Sequence, residues 1–104
     1  MSSIRVQLDV VAALAAELAA LAAELDDDAR LCRSTAATLS TALGGDDGWA
    51  AGSVGGLWAA LTGLIAARTR AMGGTLAAAV DAYRAADLAL AHRIGAGRLV
   101  AVAE

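Results

Sequence analysis

The sequence predicts an all-α chain folded as an antiparallel helical hairpin, and three observations carry that prediction. Thirty of the 104 residues are alanine, the best helix former, and none is proline. β-branched and aromatic residues, which favour sheet, are scarce. Two long stretches with apolar residues three and four apart flank a glycine-rich segment near the midpoint of the chain.

The first helix is expected over about residues 8–43. Asp9 is placed as its N-cap, because a carboxylate there accepts orphan backbone N–H groups. Val11, Leu14, Leu18, Leu21 and Leu25 step in threes and fours, the spacing of a helix packed along a seam. The same step runs on weakly through Asp28, Cys32, Thr35 and Leu39. Asp26, Asp27 and Asp28 interrupt it, and Asp26 precedes Arg30 by four in the favourable acid-first order. Gly44 and Gly45 are a helix stop, and the turn is expected over about 44–53.

The second helix is expected over about 54–94. Leu57, Leu61, Leu64 and Ile65 open one face, and Leu76, Val80, Tyr83, Leu90 and Ile94 line a face near the end. Gly73 and Gly74 interrupt it at a cost of roughly 1 kcal/mol each relative to alanine, and read as a tolerated kink or a place where another helix comes close. Gly95 and Gly97 end the pattern, leaving a short tail over 95–104. Helices of these lengths would each run roughly 50–60 Å. Two alone leave apolar surface uncovered, so the hairpin is expected to pair with another into a four-helix bundle, as a homodimer or a heterodimer. Val11, Leu14, Leu18, Leu21, Leu25, Leu61 and Ile65 form the expected dimer seam.

Composition removes several function classes. A net charge of −3 and a pI near 4.9 argue against nucleic-acid binding. One cysteine excludes an intrachain disulfide and a multi-cysteine zinc site. His92 has no second histidine at helical spacing and reads as a solvated residue near a helix end. Cys32 reads as a small buried hydrophobe. Asp26–Asp28 lack the glycine and distal glutamate of a calcium loop. No catalytic constellation is visible, so neither an enzyme, a metal, a cofactor nor a small-molecule substrate is expected. Residues 48–67 form a run of 20 without formal charge, long enough to span a bilayer. Five glycines make it a poor span. The spacing of Gly52 and Gly56 reads as a close packing point or flexible turn. Asp9, Glu17 and Glu24 around residues 10–25 are unlike a secretory h-region, so no Sec signal is expected.

Two features remain. Trp49 falls in the expected turn, where a tryptophan either caps the hairpin or fills a partner's groove. Tyr83 and Asp87 stand four apart, on one helical face. Together with the chain length, the two helices and the central Trp49 and Gly52, the Tyr83-Arg84-Ala85-Ala86-Asp87 stretch resembles the WXG family of helical hairpins exported by type VII (ESX) secretion systems. The Ala82–Asp87 stretch, and the Val6-Gln7-Leu8-Asp9 lead into an alanine-rich helix, look most like its EspC-like branch. Trp49-Ala50-Ala51-Gly52 is one residue longer than the family's Trp-x-Gly turn. The resemblance implies a non-catalytic protein that leaves the cytoplasm folded, as a dimer, without a cleaved signal. It implies that Tyr83 and Asp87 belong to an export signal read by the secretion ATPase. It further implies that Trp49 and Gly52 complete a composite signal with a partner's C-terminal end.

Two other functions compete. One is a cytoplasmic adaptor or chaperone that pairs with the helical N-terminal domain of a larger type VII toxin. The other is a membrane-active protein that inserts residues 48–67.

Overall fold

The computed structural model describes residues 2–103, with side chains described within 3–98. It contains two helices, α1 (Ser2–Leu43) and α2 (Gly45–Ala103), and no strand among the described residues. The helices pack antiparallel into a rod 88 × 18 × 13 Å. The 59 residues of α2, at about 1.5 Å each, account for that length.

The turn is far tighter than the sequence suggested. Gly44 alone separates the helices, with φ at +64°, and Gly45 follows at +54°. Both values lie in the left-handed region that only glycine enters cheaply. The Gly44 amide donates to the Ser40 carbonyl at 3.1 Å, and the Gly48 amide to the Gly44 carbonyl at 2.8 Å. Backbone groups that a helix end normally leaves unpaired are thereby satisfied. Asp46 and Asp47 lie in the first turn of α2, where the helix dipole favours negative charge.

The expected boundaries therefore need correction. Residues 45–53, expected as turn, are the first turns of α2. Asp9 is not an N-cap, because α1 already begins at Ser2. Gly95 and Gly97 do not end α2; the helix runs on through Gly73, where α1 comes close, through Gly74, and through the expected tail to Ala103. Glycine costs about 1 kcal/mol in a helix. The surrounding alanine outweighs that cost, and no proline forces a stop.

The contact between the helices is made of small residues. Ala15, Ala22, Ala29 and Ala36 of α1 are buried and stand seven apart. On α2 the matching buried positions are Ala59, Ala66, Gly73 and Val80, again seven apart. Leu8 extends the α1 step by seven toward the N-terminus, and Val11, Leu18, Leu25 and Cys32 stand three residues past successive steps, half-buried, as do Thr62, Thr69 and Leu76 on α2. This is a heptad seam. The Thr62 and Thr69 hydroxyls donate to the carbonyls of Trp58 and Ile65, so these threonines stand in the seam with no orphan polar atom.

Close approach is written into the glycines. A Cβ on Gly55 would collide with the Cβ of Ala36, and one on Gly48 with the Ser40 carbonyl oxygen. A Cβ on Gly73 would stand 3.1 Å from the Ala15 oxygen and 3.2 Å from the Leu18 Cβ. Small side chains at a helix contact bring the axes toward the short end of the usual about 8–10 Å spacing.

Candidate partner-binding surface

The seam sets where every other side chain points. The residue just before each seven-spaced position stands on one flank of the rod. Leu14 and Leu21 precede Ala15 and Ala22, while Trp58, Ile65 and Met72 precede Ala59, Ala66 and Gly73. In an antiparallel pair these positions of both helices share a flank. All five side chains are exposed. Val10 and Leu31 of α1 and Val54 and Leu61 of α2, also exposed, extend the same flank outward.

The opposite flank is polar. Asp26 and Arg70 each follow a seam alanine by four, and they pair across the helices. Arg84 follows Val80 by four, and its Nη2 donates to Asp9 Oδ1 at 2.7 Å. The Asp26–Arg30 pair expected from spacing is replaced. Arg30 contacts Asp27 at 3.4 Å, while Asp26 reaches across to α2.

The expected seam thus divides. Val11, Leu18 and Leu25 lie in the contact between the two helices of one chain. Leu14, Leu21, Leu61 and Ile65 do not; they are exposed on the apolar flank. The leucine step of four, three and four is real, but its phase straddles two surfaces. The positions that were missed are alanines, and among thirty of them no sequence signal marks Ala22 or Ala29 as the ones that touch α2.

Trp49 is 73% exposed and stands one helical turn into α2, so it does not cap the hairpin core. Gly52 beside it faces Ser40, whose Cβ and Oγ would lie 3.4 Å from an added Cβ. Tyr83 is 67% exposed. It borders a cleft with Ile4, Gln7, Leu8 and Val11 near the start of α1. Asp87 lies on a neighbouring cleft with Arg5, Asp9 and Arg84. Trp49 and Tyr83 are therefore roughly 50 Å apart along α2 at about 1.5 Å per residue, and no single chain presents both at one place. His92 is exposed on α2 beyond the reach of α1, and Cys32 is half-buried in the seam.

The α2 segment after about residue 90 extends past the start of α1. Leu90 and Ile94 continue its seam, both are exposed, and no α1 residue stands beside them among the described residues. No family model, curated protein or solved structure matches the chain.

Proposed function

We propose that this protein is a non-catalytic partner-binding hairpin, exported by a type VII secretion system as a substrate or secretion-associated factor. One observation carries the partner-binding part: the small residues are inside and the large apolar ones outside. Burying a methyl contributes about 0.8 kcal/mol, whereas fully burying a leucine-sized side chain contributes about 1.5–3 kcal/mol. A seam of alanines leaves most of the available hydrophobic stabilisation on the apolar flank. A second hairpin laid there would bury Leu14, Leu21, Trp58, Ile65 and Met72 and complete a four-helix bundle. The export part is supported by the motif resemblance and by the exposure of Trp49 and Tyr83, which leaves both free for recognition.

A second reading is the adaptor, in which a longer helical partner covers the exposed Leu90 and Ile94. Membrane insertion is disfavoured by what lies beside the apolar run. Both helices are long and apolar enough to cross a membrane by length and composition. But residues 48–67 pack along 24–43, which carry Asp26, Asp27, Asp28, Arg30 and Arg33. Inserting the hairpin would drag those charges into hydrocarbon, at about 2.5–3.5 kcal/mol for each one near the bilayer centre.

Export is the deciding experiment. A tagged copy is expressed in hosts with and without a working type VII ATPase, and culture filtrates are compared. ATPase-dependent filtrate signal is the expected result. Signal confined to cells, with a larger toxin co-purifying, would instead establish the adaptor.

A further inference from the structure

We infer that the apolar flank is covered by a second copy of this chain, lying turn beside turn, with Arg68 of each copy against Glu24 of the other. The inference rests on the reading that the hairpin works as a paired bundle, and it names the partner and the orientation. The flank from Val54 to the level of Leu14 is about 35 Å long at 1.5 Å per residue, on a rod 18 Å wide. That is roughly 600 Å² in projection, on the scale of the about 800 Å² that each partner of a stable complex buries.

Charge selects the orientation. Along this stretch the α1 half of the flank carries Glu17, Glu24 and Asp28, and the α2 half carries only Arg68. Two copies can meet face to face around a twofold axis in two ways. An axis across the rod lays α1 on α1, which sets three carboxylates of one copy against three of the other. Like charges at an interface oppose association. An axis along the rod lays α1 on α2 of the other copy, so the acidic half meets the apolar half that holds Arg68.

The lengthwise axis also fixes the register, because it permits no sliding. The Gly55–Ala36 and Gly73–Leu18 contacts mark which residues of α1 and α2 stand level. Between them, Arg68 comes level with Glu24, with Asp28 one turn away. Both Arg68 and Glu24 are exposed in the single hairpin and stand on the outer edge of the apolar flank. In the dimer they meet twice, once at each edge. By the same levels Met72 comes opposite Leu21 of the other copy, and Trp58 opposite Leu31 and Thr35.

One consequence separates this dimer from the composite signal. Turn-beside-turn packing places the two Trp49 side chains at one end and both Tyr83–Asp87 pairs at the other. Each would then be read separately rather than as one site shared between chains.

The test uses the full chain. Sedimentation equilibrium is expected to show a dimer at micromolar concentration. Arg68→Glu should weaken it by about tenfold or more, and adding Glu24→Arg should restore it. Circular dichroism checks that every variant keeps its helix. Orientation is read by spin labels on Asp47→Cys in a Cys32→Ala background. Labels within about 30 Å of each other are expected, whereas the crosswise dimer would separate them by about 60 Å. The longer distance, or a dimer indifferent to Arg68→Glu, overturns the inference. A monomer throughout overturns the second copy as partner while leaving a heteromeric hairpin in place. Export assays report on the secretion reading independently of all these outcomes.

Discussion

Arg84 donates to the carboxylate of Asp9 across the hairpin, joining residues 75 apart in sequence near the level where α1 begins. With Arg70 and Asp26 it forms a pair of ties along the polar flank. Arg84, Asp9 and Arg70 keep about half or more of their side-chain surface in water, and Asp26 about a third. Such pairs contribute about 0.2–1 kcal/mol each and weaken with salt. Arg84→Ala should therefore lower the hairpin's stability by less than about 1 kcal/mol, a loss that shrinks at high ionic strength. Urea titrations at two salt concentrations check both parts.

Ala22 and Leu21 are neighbours with opposite roles. Ala22 is fully buried between the helices, while Leu21 is 45% exposed on the apolar flank. Ala22→Leu should force the helices apart and destabilise the hairpin by about 1–3 kcal/mol. Leu21→Ala should leave the single hairpin nearly unchanged and weaken its association. Thermal melts and sedimentation, run on both variants, separate the two effects.

Adjacent glycines give a second contrast. Nothing lies within 4 Å of a Cβ built on Gly56, whereas one on Gly55 meets Ala36. Gly56→Ala should stabilise by about 0.5–1 kcal/mol, the ordinary helix gain. Gly55→Ala should lose that gain and more. Equal stabilisation of both would mean that the helices stand further apart at this level.

Gly44 should tolerate no side chain without cost. Gly44→Ala places a Cβ at φ +64°, which costs about 1–2 kcal/mol. The melting temperature should fall with the helical signal otherwise intact.

The recognition residues are tested through export. Trp49→Ala should reduce export or partner binding and leave helicity unchanged, since Trp49 is mostly exposed. Tyr83→Ala and Asp87→Ala should reduce export without abolishing association. Unchanged export in all three variants would remove the motif argument.

The sequence announced the helices and the place where the chain reverses, because alanine, glycine and the absence of proline act locally. It did not announce the length of the turn. Trp49 and three further glycines looked like loop, yet Asp46, Asp47 and the alanines around Trp49 continue α2 from Gly45. Val11, Leu18 and Leu25 were legible as packed positions because large side chains repeat visibly, but they pack between the helices of one chain and not between two chains. Ala15, Ala22, Ala29 and Ala36 were not legible, because an alanine that packs and an alanine that faces water are the same letter. Leu14 and Leu21, read as dimer seam, stand exposed on the apolar flank and not between the two helices. Tyr83 and Asp87 were legible as a motif, but their distance from Trp49 followed only once α2 was seen to be one unbroken helix.

The proportions of the rod bear on how its mass is measured. A compact chain of about 100 residues has a radius of gyration near 13 Å, and this one has 24.3 Å. Drag and exclusion from gel pores follow shape as well as mass, so a lone hairpin elutes early and diffuses slowly, like a heavier sphere. A column calibrated with globular standards would report a dimer where there is one chain. Light scattering, which weighs particles without regard to their outline, tells one hairpin from two.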